Sequence, residues 1–252
     1  MAEPLLRVEN VSKTFSGLLA VDGASLTVQA GRITALIGPN GAGKTTLFAM
    51  ISGFLAPSAG RIFHRDEDIT GVPPYRLARR GIARTFQIVR PFAGLSVHEN
   101  IAVGAYLSRR SRADALEAAG QVAELVGLGD LLDRPAASLT VAGRKRLELA
   151  RVLATGANLL LLDEVLAGLN PSEVATMVQT IGSLVGRGLT ILMIEHVMQA
   201  VMSLAQHVYV LSEGRILTEG SPQAVVGDAR VIEAYLGRGA AARLSAAGSR
   251  HV

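Results

Sequence analysis

Three short apolar runs organise the chain. Residues 32–37 (RITALI) end at Gly38, residues 159–162 are four leucines followed by Asp163-Glu164, and residues 190–194 (TILMI) lead into Glu195-His196. Each run is continuous rather than alternating, the pattern of a strand covered on both faces in a parallel sheet. Residues 45–52 and 173–184 have helical composition, and Gly53 is placed to stop the first helix. Strands that alternate with helices and end in polar residues predict an α/β nucleotide-type core. Near the N-terminus the pattern changes. Ala24, Leu26 and Val28 alternate with polar residues before a turn at Ala30-Gly31, which predicts antiparallel strands. From about residue 89 to 129 the chain is mostly helical in character, with 113–126 amphipathic, so a helical subdomain inserted into the sheet is expected.

Composition narrows the classes. Hydrophobic residues make up 49% of 252, which excludes disorder for most of the length and is enough for one large domain. Aromatics are only 4%, with no Trp, which argues against a carbohydrate cleft or a stacking platform for single-stranded nucleic acid. The absence of Cys removes disulfides, zinc–thiolate sites, iron–sulfur ligation and a cysteine nucleophile. A net charge of +4 is mild, and no nucleic-acid partner is expected. Residues 196–212 form the longest stretch free of Asp, Glu, Lys and Arg, but they include two His, two Gln and two Ser, a poor membrane span. The start MAEPLLRVEN has no basic segment followed by an apolar one, so no signal peptide is expected. The low-complexity tail, residues 238–252, is expected to be flexible.

The chemistry concentrates after the strands. Gly38-Pro39-Asn40-Gly41-Ala42-Gly43-Lys44-Thr45 fits G-x-x-x-x-G-K-[ST], after a strand and before a helix, the context a phosphate-binding loop requires. Its glycines let backbone N–H groups converge on phosphate oxygens at the positive end of a helix. Lys44 is expected to reach the β- and γ-phosphates and the Thr45 hydroxyl to ligate Mg²⁺, with Thr46 beside it in the nucleotide site. Asp163, at the end of four leucines, is placed to hold Mg²⁺, and Glu164 to polarise an attacking water.

With these residues in order, the chain resembles the ATP-binding cassette (ABC) ATPases over roughly residues 5–237. The resemblance implies one cassette domain (1–237) with a P-loop NTPase core of mostly parallel sheet. It further implies an N-terminal antiparallel β subdomain and a helical subdomain inserted at about 89–155. Gln87, in RTFQ, matches the Q-loop glutamine, which implies contact with Mg²⁺ and water. His196 matches the switch histidine, and Ala167-Gly168-Leu169-Asn170 the D-loop, with Asn where many members have Asp. Phe15, in KTFSG, matches the aromatic that stacks on adenine. The signature departs from the family. Against LSGGQ, Leu139-Thr140-Val141-Ala142-Gly143 puts Thr140 in the serine's place, Ala142 in the glycine's and Gly143 in the glutamine's. Thr140 still offers a hydroxyl at a helix start, whereas Ala142 adds a methyl where the helix must approach phosphate, so a weakened signature is expected.

Residues 165–171 (VLAGLNP) and 231–237 (VIEAYLG) resemble segments of importers for branched-chain amino acids. The implied protein is the ATP- and Mg²⁺-dependent ATPase subunit of such an importer, peripheral on the cytoplasmic face of the inner membrane. Its implied partners are a second ABC ATPase, identical or not, two transmembrane permeases and, indirectly, a periplasmic solute-binding protein. An importer of another small solute such as urea or amides, or a soluble ABC ATPase outside transport, is the alternative. A GTPase would need an NKxD segment, which the chain lacks. The arginine clusters (Arg76, Arg79, Arg80 and Arg84; Arg109, Arg110 and Arg112; Arg144, Lys145 and Arg146) read mainly as solvated faces, with permease or lipid-headgroup contact the sharper reading.

Overall fold

The computed structural model describes residues 4–86 and 90–236. Two sheets share the work. The first is a four-stranded antiparallel sheet in the order β2-β1-β4-β5, built from β1 (Pro4–Phe15), β2 (Leu18–Gln29), β4 (Ala59–His64) and β5 (Glu67–Asp68). In it Val8 faces Leu26 and Val11 faces Ala24, so the alternating apolar positions of β2 all point to one face. The second sheet has the order β10-β9-β3-β8-β7-β6. Its strands are β3 (Ile33–Ile37), β6 (Ile82–Arg84), β7 (Leu159–Asp163), β8 (Thr190–Ile194), β9 (His207–Ser212) and β10 (Arg215–Gly220). All its pairings are parallel except β9 with β10.

The three apolar runs are the inner strands of this second sheet, and every residue of β3, β7 and β8 is buried. Their continuity has a simple cause: both faces are covered. Leu159 and Leu161 turn towards a core shared with the antiparallel sheet and α1 (Lys44–Ile51), which contributes Leu47, Phe48, Met50 and Ile51. Leu160 and Leu162 turn the other way, into a core with α5 (Val141–Ala154) and α6 (Pro171–Val185). Truncating a side chain such as Phe48, which is fully buried, would cost about 3–5 kcal/mol.

Between β6 and β7 lies a helical block, α3 (Val97–Ala105), α4 (Arg112–Leu125) and α5, preceded by α2 (Pro74–Arg79) ahead of β6. Small side chains let these helices approach: Ala115, Ala119 and Ala123 of α4 are buried at i, i+4 and i+8. The remaining helices, α7 (Met198–Leu204), α8 (Pro222–Val226) and α9 (Ala229–Leu236), flank the end of the parallel sheet. The long uncharged stretch at 196–212 is divided between α7 and β9, and no described helix is long and apolar enough to cross a membrane.

Candidate functional site

The loop after β3 is shaped by close backbone approaches. A Cβ on Gly38 (φ 151°) would stand 2.0 Å from the carbonyl oxygen of Leu211, and one on Gly43 (φ 101°) 2.4 Å from that of Ala20. Only glycine fits, so the loop wraps tightly onto the start of α1. No side chain caps that start, and its first turn carries no acid, so its leading N–H groups are presented to the cleft. Lys44 is buried and its Nζ donates to the carbonyls of Gly38 (2.8 Å) and Pro39 (2.9 Å). Burial lowers its pKa, while Glu164 and Asp163 oppose that shift.

One cleft of about 410 Å³ gathers Asn40, Gly41, Ala42, Gly43, Lys44, Thr45 and Thr46 with Glu164 and His196, closed on one side by Leu18, Leu19 and Ala20. That volume falls in the range of small-molecule sites. Glu164 follows β7 in the left-handed region (φ 49°), and its Oε1 lies 2.7 Å from Nε2 of His196. Two residues that follow the paired strands β7 and β8 thus meet beside the phosphate loop. A second cavity, about 540 Å³, contains both Thr45 and Asp163. Asp163 is buried, and its carboxylate accepts a 2.7 Å hydrogen bond from Arg84. A hydroxyl and a carboxylate beside a phosphate loop form a hard oxygen donor set that fits Mg²⁺, an ion that completes its shell with substrate phosphates and water.

Phe15 lines neither cavity, and Thr140, Ala142 and Gly143 line a separate pocket that shares no residue with these two. Phe15 sits at the tip of the β1–β2 hairpin opposite Leu18, 43% exposed, with the Lys13 ammonium 5.4 Å from its ring centre; it is no core residue. Gln87 lies outside the described residues. Thr140 caps α5 by accepting the N–H of Gly143 (3.2 Å). A Cβ on Gly143 would be 3.2 Å from the Leu139 side chain, and Ala142 is buried at the edge of a pocket that Thr140 and Gly143 also line. The helix start is therefore still capped, although four of the five letters depart from LSGGQ.

Comparison with known proteins decides the family. A model described as ABC transporter matches residues 21–167, more than half the chain, and one described as branched-chain amino acid ATP-binding cassette transporter matches 215–241. The chain belongs to the ABC transporter ATPases. A curated relative, the high-affinity branched-chain amino acid transport ATP-binding protein LivG of Escherichia coli, is 39% identical, with 94% of this chain and 99% of LivG covered. The corresponding BraF of Pseudomonas aeruginosa is 38% identical over the same shares. The crystal structure of a nucleotide-free ATP-binding cassette from an ABC transporter superposes with a TM-score of 0.86 at 33% identity, covering 94% of this chain and all of that one.

In this ABC cassette two cations placed by sequence among solvated arginines are drawn inward instead, Lys145 buried and the Arg84 side chain 9% exposed. Arg84 closes β6, one strand over from β7, where its guanidinium reaches Asp163 and Ser52 Oγ (3.0 Å) and lies near the rings of Phe48, Phe54 and Phe86. Lys145 is only 7% exposed, on the inner face of α5. Helical spacing carried the signal for Lys145: it falls at i+3 from Ala142 and i−4 from Leu149, both buried. For Arg84 the signal was Asp163 at the end of the neighbouring strand, visible only once β6 and β7 are paired. Glu195 is a third residue that sequence reading left without a role. It is buried, accepts the N–H of Leu166 at 3.0 Å, and is pushed up to about 7 by burial.

Proposed function

We propose that the chain is the ATP-hydrolysing subunit of an importer for branched-chain or related amino acids. The observation that carries this reading is the meeting of Lys44, Thr45, Glu164 and His196 around one cleft, in a chain aligned almost end to end with branched-chain amino acid transport ATP-binding proteins. In this reading the N–H groups at the start of α1 and the Lys44 ammonium neutralise the β- and γ-phosphates, stabilising charge that builds up as the terminal bond breaks. Glu164 orients the attacking water, and His196 fixes the Glu164 carboxylate while facing the γ-phosphate. Thr45, Asp163 and Gln87 hold Mg²⁺, which when bound neutralises phosphate charge. Phe15 stacks on the adenine.

The cassette works with a second cassette chain and two membrane permeases, peripheral on the cytoplasmic face, and a periplasmic binding protein delivers the solute. Its permease contact falls at the groove between α2 and α3, where Phe54 (54% exposed) and Phe86 (44% exposed) stack edge to face at 5.4 Å. Reconstitution of the chain with its permeases in vesicles tests the reading. Glu164→Gln is expected to bind ATP but lose at least about 100-fold in turnover and leucine uptake, and Lys44→Ala to lose nucleotide binding itself. Wild-type turnover in the Glu164→Gln complex would refute the catalytic assignment.

A further inference from the structure

We infer that Lys145 is a positioning residue of the hydrolytic site, holding the backbone of Glu164 from the helix that begins at the signature. The inference rests on the reading of Glu164 as the water-orienting carboxylate. Glu164 occupies the left-handed region at φ 49°, a conformation that its Cβ disfavours, so something outside the residue must hold it there. Its N–H is tied to the carbonyl of Ile194 on β8 (3.0 Å). Its carbonyl accepts from the Nζ of Lys145 at 3.0 Å and from the N–H of Ala167 at 3.2 Å. The next link, the N–H of Leu166, donates to Glu195 (3.0 Å). The turn that carries the carboxylate is thus clamped by two buried side chains, Lys145 and Glu195.

The neighbouring positions on the inner face of α5 are apolar, Ala142, Leu149 and Val152, apart from the buried Glu148 at i+3, which pairs with Arg151. A buried ammonium among them is expensive, and its retention needs an interaction that an apolar side chain cannot supply. Burial lowers the Lys145 pKa, and attraction to Glu195, then to Glu164, opposes it. The side chain therefore spans from α5 to the strand ends with charge satisfied at its tip. Rotation about the Glu164 backbone would swing Oε1 away from His196, now 2.7 Å off, and out of line with the phosphate loop. Misplacement of a reacting group by about 1 Å is enough to cost up to about 100-fold. Because Thr140 caps the same helix, Lys145 links the signature end of α5 to the backbone of Glu164.

The test compares Lys145→Met and Lys145→Arg with the wild-type full chain by three readouts: steady-state ATP turnover, binding of a fluorescent ATP analogue, and amide hydrogen exchange. Lys145→Met is expected to lower kcat about tenfold while nucleotide affinity stays within about twofold. Amide exchange at Leu166 and Ala167 should accelerate about tenfold, with the amides of β7 and the middle of α5 unchanged. Lys145→Arg, which keeps charge and donors, should stay within about threefold of wild type in kcat. Wild-type kcat and exchange in Lys145→Met would overturn the inference. So would faster exchange throughout α5 together with weakened nucleotide binding, the mark of a merely structural residue. A wild-type chain inert towards ATP would overturn the function proposed above, and the exchange measurement would still decide whether Lys145 holds the turn.

Discussion

At the scale of single residues, what could be read from sequence depended on whether the chemistry is local. Lys44 and Thr45 are fixed by neighbours within one loop, so the motif alone located them. Arg84 and Lys145 are fixed by partners 79 and 19 residues away, and a charged side chain in a cluster of charges carries no mark of its burial until the strands are paired. His64 makes the same point for titration. On β4 opposite Leu6, it is buried, its Nε2 has no hydrogen-bond partner, and burial, aided by the cation of Arg65, lowers its pKa from 6.5 to about 4. The unfolded chain therefore takes up a proton between pH 6.5 and 4 that the folded chain refuses. Stability attached to this residue is full above pH 6.5 and is lost as pH falls towards 4. Urea unfolding at pH 7 and pH 5 should show the wild type losing about 2 kcal/mol more than a His64→Leu variant over that interval.

At the scale of elements, the apolar runs gave β3, β7 and β8 within a residue, because strands buried on both faces leave an unbroken record in the sequence. Helix ends were harder. Helical composition alone marked residues 173–184, whereas α6 begins at Pro171, with Asn170 and Glu173 forming a reciprocal capping box: Asn170 Oδ1 accepts the Glu173 N–H (3.0 Å) and Glu173 Oε2 the Asn170 N–H (2.9 Å). The departure from Asp at this D-loop position has a physical sense, since Asn caps a helix as well as Asp does. Asn170→Ala should cost about 1 kcal/mol in unfolding free energy. The altered signature invites a second measurement. Thr140 still caps α5 and Ala142 is only 6% exposed, so Ala142→Gly should change turnover by less than about threefold while destabilising the helix by about 0.5–1 kcal/mol. A large gain in turnover would show that the methyl obstructs the partner's nucleotide after all.

For the whole molecule, the α/β class and the antiparallel N-terminal strands were legible because each face pattern is local, but the order of strands was not, because pairing is a long-range property. A side chain joins the two sheets: the Tyr209 hydroxyl on β9 accepts the N–H of Thr27 on β2 (3.0 Å) and donates to the Thr27 carbonyl (3.3 Å), across 182 positions of sequence. Burial pushes its pKa up to about 12, so it remains protonated at any ordinary pH. Tyr209→Phe leaves the Thr27 N–H without that acceptor and should cost about 1–3 kcal/mol, read as a lowered denaturation midpoint with an unchanged slope. The strand order has a further consequence, in the time of synthesis. β3, which carries the phosphate loop, lies between β8 and β9, and β9 begins some 170 residues after β3 ends. At a translation rate of about 5–20 residues per second, the loop waits about 10–30 s on the ribosome before its strand has both neighbours. Over that interval the apolar stretch Ile33–Ile37 is a sticky segment for chaperones to shield, and the nucleotide cleft, which Glu213 and Gly214 help to line, stays incomplete.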